Sequence, residues 1–116
     1  MCQSSFSKRK RLITPSQYSR VFGEPVKFYQ PGFMVLCRKN TENTPRLGLA
    51  ISKKKLRLAV DRNRIKRLAR ESFRTQLHGN SVDIVLLARN PIINMDNTQI
   101  LKQLNWLWRK INQQEW

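Results

Sequence analysis

Chemistry at a protein site needs acids, bases, nucleophiles or metal ligands held close together, and this sequence has few of them. Its seven acids stand at positions 24, 42, 61, 71, 83, 96 and 115. That scatter offers no close carboxylate pair of the kind two-metal hydrolysis uses. His78 is the only imidazole. It precedes Gly79 in an expected helix-ending turn, and no general-base role is assigned to it. Cys2 and Cys37 lack metal-ligand or disulfide-framework spacing and are expected to be free thiols in a reducing compartment. No catalytic residue and no protein-held metal is therefore expected. The side chains that do gather are cations: residues 53–74 contain ten Lys/Arg and two acids, a net of +8 out of +16 for the chain. Their chemistry is the neutralisation of a polyanion.

The whole chain supports that reading. Its 116 residues suit one domain, and 40% hydrophobic residues can supply a core. Twenty-three Lys/Arg against seven Asp/Glu is far more positive charge than solubility needs. It implies nucleic acid or an anionic membrane surface as partner. Residues 1–11, with Lys8, Arg9, Lys10 and Arg11, read as a mobile basic arm with no apolar signal core. No apolar run approaches the roughly 18 residues of a membrane span. A soluble cytoplasmic protein with no membrane partner is the expectation.

Several local elements must position the cations. Thr14 sits where an N-cap belongs, Pro15 follows at the first helical position, Gln17 completes a capping box and Ile13 can staple onto Tyr18. Gly23 ends the helix. The result is a short helix over 15–22 with Tyr18 and Phe22 on one face. Strands are expected at 26–30 and 33–38, then a turn-rich connector over 39–45. "RLGLAIS" (46–52) alternates strictly: Leu47, Leu49 and Ile51 form the core side, and Gly48, Ala50 and Ser52 form a low face that lets another element or a ligand approach the backbone. "VDIVLLAR" (82–89) reads as a mostly buried strand stopped by Asn90 and Pro91. A last helix opens at Asp96 with Gln99 three later, and buries Ile100, Leu101, Leu104, Leu107, Trp108 and Ile111. Trp106 falls off that stripe. Helices packed on a small sheet make an α+β domain.

The basic stretch is itself a helix. At 100° per residue, Ile65, Leu68, Ala69, Ser72, Phe73 and Gln76 fall on one side, and Asn63, Lys66, Arg67, Arg70 and Arg74 on the other. Asp61 is the expected N-cap. The ridge is locally unfavourable, because Lys66, Arg70 and Arg74 are successive i,i+4 like charges. Arg62 and Arg64 also lie near the positive end of the helix dipole. A solvated face normally mixes signs, so one-sided charge is better explained by a bound polyanion. Lys53, Lys54 and Lys55 extend the field at the end of the preceding strand.

The stretch "SKKKLRLAVDRNRIKRLARESFR" resembles the bacterial ribonuclease P protein family, of gamma-proteobacterial type. The likeness continues through "RLITPSQYSRVF", "PRLGLAISKK", "DIVLLAR" and the terminal "LWRKI". The resemblance implies a single-domain α-β-β-β-α-β-α two-layer sandwich with a left-handed βαβ crossover, like the second domain of ribosomal protein S5. It implies a protein that binds a catalytic RNA and assists removal of the 5′ leader of precursor tRNA. Hydrolysis would be carried by Mg²⁺ bound mainly by the RNA subunit and substrate, with no obligate protein partner. By position, Arg62, Asn63, Arg64, Lys66, Arg67, Arg70 and Arg74, with Ser52, Lys53 and Lys54, would meet RNA. Tyr18 and Phe22 would face the leader across a cleft whose sheet side includes Phe33, Val35 and the 46–52 strand. The chain departs from the family where many members carry a glycine after the Ser-Lys-Lys; here Lys55, Leu56 and Arg57 stand in that loop.

Aromatics beside a basic groove are how proteins hold single strands, since every base offers a π face. The alternative for Tyr18 and Phe22 is core packing. Two other functions share the charge. A helix-turn-helix DNA reader needs two helices joined by a tight turn, whereas strands flank this basic helix. A ribosomal-type structural RNA binder differs in its partner rather than in its own physics.

Overall fold

The structure, a computed structural model, describes residues 15–23, 25–42, 44–54, 56–77, 81–89, 92, 94–114 and 116. The 1–11 arm, Ile13, Thr14, Lys55, His78, Gly79, Asn90 and Pro91 lie outside them. A helix α1 (Pro15–Gly23) leads into a hairpin of β1 (Val26–Tyr29) and β2 (Phe33–Lys39). The hairpin turns at Pro31 and Gly32, where Gln30 and Phe33 exchange backbone hydrogen bonds of 2.9 and 3.3 Å. The chain runs tight at Gly32: its N–H donates to Gln103 Oε1 at 2.8 Å, and a Cβ there would fall 2.5 Å from Met95 Sδ, so a larger residue would have to displace that side chain.

β2 pairs antiparallel with β4 (Val82–Ala88) from Phe33 opposite Ala88 to Lys39 opposite Val82. β3 (Arg46–Ala50) lies parallel to β4 on its other side, giving the order β1-β2-β4-β3. The crossover between those parallel neighbours is the basic helix α2 (Ala59–Gln76), and α3 (Asn97–Gln113) closes the domain. The capping box of α3 is as read: Gln99 N–H donates to Asp96 Oδ1 at 2.9 Å, and Asp96 N–H donates to Gln99 Oε1 at 3.0 Å. No helix among the described residues is long and apolar enough to cross a membrane.

The two faces of the sheet are covered differently. On one, Phe33, Val35, Cys37, Leu47, Ile84 and Leu86 pack against Ile65, Ala69 and Phe73 of α2 and the Ile100, Leu104, Leu107, Trp108 and Ile111 stripe of α3. Phe73 meets the Trp108 ring edge-on at 5.6 Å, and Trp108 Nε1 donates to Ser72 Oγ at 2.8 Å. That bond pairs two buried polar groups in the helix–helix seam, which burial would otherwise penalise. On the other face, α1 seals only a patch, with Val21 pressed onto Leu36 and Val85.

Three local expectations are corrected. α2 starts at Ala59, not at Asp61; Leu58 is its cap residue, without a side-chain bond, and Asp61 falls in the first turn. The physical reason is upstream: Leu56 is buried, and Arg62 donates to the carbonyls of Leu56 and Arg57, both at 2.8 Å, fixing the entry. β3 stops at Ala50 because the Ser52 carbonyl accepts from Leu56 N–H at 3.1 Å, turning the chain off the sheet. Gln76 is exposed, and Leu77 is buried in its place.

Candidate nucleic-acid interface

The outer side of α2 is dominated by cations, with Glu71 the exposed acid among them. Asn63 and Arg67 are exposed, and Lys66, Arg70 and Arg74 are half-buried at their stems, as long cations lying along a helix are. Arg74 pairs with Glu71 at 2.8 Å, which relieves part of the like-charge repulsion. Two cations of the motif serve the fold as well. Arg62 clamps the loop carbonyls just described, and Arg64 donates to Asn97 Oδ1 at the start of α3. Lys66, Arg67 and Arg70 are therefore the ridge's outward cations. Ser52, Lys53 and Lys54 are all exposed in the turn between β3 and α2.

The sheet face under α1 is read from the strand register. Successive strand residues point to opposite faces, so Lys27, Tyr29, Met34, Leu36, Arg38, Val85, Leu87, Gly48 and Ala50 share the α1 side. Tyr18 lies over Gly48, filling the low surface expected of the small-residue face of β3. Beyond α1, one transverse row stays partly open: Tyr29 is exposed, and Met34, Leu87 and Ala50, its neighbours across the other three strands, are half-buried against the Val21 patch. Phe22, 47% exposed, is carried by α1, the helix that lies on this face, while its neighbour Val21 is the buried anchor. Tyr18 is half-buried, so the two rings have different environments.

Phe33 and Val35 are not on this side. Both are 0% exposed and belong to the core beneath α2 and α3. The floor of the cleft is formed by Met34, Leu87 and Ala50, one residue out of step with the assignment of Phe33 and Val35. A one-residue shift in a strand moves a side chain to the opposite face.

Comparison with known proteins turns this geometry into a lineage. The ribonuclease P family model matches residues 6–112. The chain belongs to the ribonuclease P protein family. It is 47% identical over 110 residues to the ribonuclease P protein component of Pseudoalteromonas translucida, covering 94% of this chain and 79% of that protein. It is 44% identical over 113 residues to that of Chromohalobacter salexigens, covering 96% and 88%. The fold is similar to the Staphylococcus aureus RNase P protein, with TM-score 0.77, 30% identity and coverage of 90% and 95%. It is also similar to the RNase P protein of Thermotoga maritima, with TM-score 0.73, 28% identity and coverage of 86% and 96%.

In this ribonuclease P family chain the cleft has a polar support that its sequence does not advertise. Asp83 is fully buried in β4 and accepts from Arg46 Nε and Nη2, both at 2.7 Å, from Arg20 Nη1 at 3.2 Å and from Asn40 Nδ2 at 2.7 Å. Its carboxylate holds the Arg46 guanidinium above its ordinary pKa. Arg20 also donates to the Lys39 carbonyl, and Arg38 donates to the Arg20 carbonyl at 2.8 Å. α1 is thus fastened by Val21 in its last turn and by Arg20 on its flank. The only available signal was a lone acid inside an apolar strand, which must find cationic partners when buried. Among the described residues, no group of three His, Cys, Asp or Glu is placed to hold a metal ion.

Proposed function

We propose that this chain is the RNA-binding protein subunit of ribonuclease P. It binds the catalytic RNA through the outer face of α2 and the 52–54 turn, and the unpaired 5′ leader of precursor tRNA in the cleft between α1 and the sheet. Family membership supports the association with ribonuclease P. The observation that carries the leader reading is the exposed Phe22 on α1, over a sheet face whose apolar and aromatic row is only partly covered, on a chain of charge +16. Exposed rings in a cationic setting suit unpaired nucleotides, whose bases stack and whose phosphates need neutralising.

In the same reading, cleavage of the leader is carried by the RNA subunit with Mg²⁺ held mainly by RNA and substrate, in the cytoplasm. Asp83, the buried carboxylate of the cleft, is committed to Arg46, Arg20 and Asn40 and serves to hold α1. Reconstitution with the RNA subunit tests the proposal. The protein is expected to raise affinity for precursor bearing a leader of several nucleotides and to leave mature tRNA nearly unchanged. The protein alone is expected to cleave no precursor at any Mg²⁺ concentration; RNA-free cleavage that survives nuclease-contamination controls would overturn the assignment.

A further inference from the structure

Tyr29 sits on the edge strand, at the far end of the partly open row from Ala50, and is 50% exposed. An isolated exposed aromatic on an edge strand is unremarkable, but this one is fixed. The Arg89 guanidinium lies over the ring, 5.7 Å from its centroid. Arg89 is held in turn by the β1–β2 hairpin: its Nη1 donates to the Gln30 carbonyl at 3.0 Å, and its backbone N–H donates to the Gly32 carbonyl at 2.8 Å. A ring and a planar cation are therefore held together at the outer rim of the face that α1 covers only in part.

The surroundings favour an anionic strand. Lys27 lies two residues before Tyr29 on the same face and is exposed. The one acid among the strand residues of that face is Asp83, buried under Arg20 and Arg46. Three inter-strand spacings of about 4.8 Å set Tyr29 roughly 14 Å from Ala50 along the row. A stacked strand advances about 3.4 Å per nucleotide, so the row spans at most about four nucleotides.

We infer that Tyr29 and Arg89 form a distal subsite for single-stranded RNA, where the ring meets a base and the guanidinium meets a phosphate. The inference rests on the leader-binding reading above and adds to it a site that neither Tyr18 nor Phe22 supplies. A short leader ends on the row before reaching Tyr29. A longer one crosses the sheet and gains the edge contact.

The test uses holoenzyme reconstituted with the RNA subunit and a series of precursor tRNAs whose leaders grow one nucleotide at a time. Wild-type affinity is expected to rise with length and then level off. Tyr29→Ala should match wild type on the shortest leaders and lose roughly fivefold or more on the longest, the low end of base–aromatic stacking. Tyr29→Phe should keep the gain, and Arg89→Gln should lose part of it. Denaturation midpoints of the variants monitor folding. A wild-type length dependence that Tyr29→Ala leaves intact would overturn the subsite alone. Equal loss at every length, leaderless tRNA included, would also overturn it by assigning Tyr29 to the fold or to the RNA subunit. A wild-type response flat in leader length would overturn the leader reading and the subsite together.

Discussion

The ring of Tyr18 rests directly on the backbone of Gly48: a Cβ at residue 48 would fall 2.7 Å from both the Cε1 and Oη atoms. The contact fixes how closely α1 can lie against β3, and therefore the height of the cleft wall. A methyl group at 48 must push aside either the ring or the helix that carries it. Gly48→Ala should therefore weaken binding of leader-bearing precursor while leaving the affinity for the RNA subunit near wild type. Overpacking of this kind typically costs about 1–3 kcal/mol of stability. Pairing the substitution with Tyr18→Ala, which vacates the space, should restore stability; a double variant no more stable than Gly48→Ala would refute the steric account.

Val21 and Phe22 are neighbours with opposite roles. Val21 is 0% exposed and Phe22 47%. Phe22→Ala should leave the denaturation midpoint almost unchanged, since surface changes usually stay within about 0.5 kcal/mol. It should nevertheless reduce affinity for leader-bearing precursor by roughly five- to 150-fold, the range of one lost base–aromatic stack. Val21→Ala should do the reverse in stability, costing about 1.5–3 kcal/mol of lost burial. Comparison of the two midpoints with the two leader affinities checks both statements.

Asp83 joins β4 to Arg46, Arg20 and Asn40 in one buried cluster. Removing the carboxylate strands Arg46, and breaking a buried pair from one side costs about 3–5 kcal/mol. Asp83→Ala should accordingly unfold at much lower denaturant concentration. Arg20→Gln is milder, because the Arg20 side chain is 39% exposed and Arg46 keeps both its bonds. That variant should stay folded but loosen α1, with a loss confined to leader-bearing substrate.

The α2 ridge should dominate the salt dependence of binding to the RNA subunit. If six or more phosphates are neutralised, affinity should fall about a thousandfold between roughly 50 and 200 mM salt. Arg67→Gln should lower the logarithmic slope by about one without changing stability, because Arg67 is exposed. Arg62→Gln should lower stability as well, since its guanidinium holds the Leu56 and Arg57 carbonyls. Salt titrations and melting curves on the two variants separate the roles.

Cys37 is buried in the helix-covered core, and burial pushes its thiol well above the ordinary value. In the unfolded chain the thiol ionises near pH 8.5, while in the folded chain it stays protonated. Above that pH the folded state holds the extra proton, so stability falls as pH rises. Cys37→Ala should flatten that alkaline decline, and a thiol reagent at pH 8 should label Cys37 only under unfolding conditions. Rapid native labelling at Cys37 would contradict its burial.

The features legible in the sequence are those set by neighbours along the chain. The helical period placed Ile65, Ala69 and Phe73 on the buried side of α2 and Arg67 on the outer side. The Asp96–Gln99 box marked the start of α3, and the Gly48–Ala50 side of β3 was recognisable as low. Each depends on residues within a turn or two, so local spacing suffices. β2 was different: Phe33, Val35 and Cys37 are apolar, and so are Met34 and Leu36. Alternation then has no sign, and the choice of face waits on α1 covering one side while α2 and α3 cover the other. The entry of α2 was likewise set by the buried Leu56 and by Arg62 reaching back, rather than by the acid at 61. Asp83 is the extreme case, with partners 63, 43 and 37 positions away in sequence. Which cations point outward and which hold the fold is fixed only when the sheet brings such distant residues together, because a buried charge takes its partners from space and not from the chain.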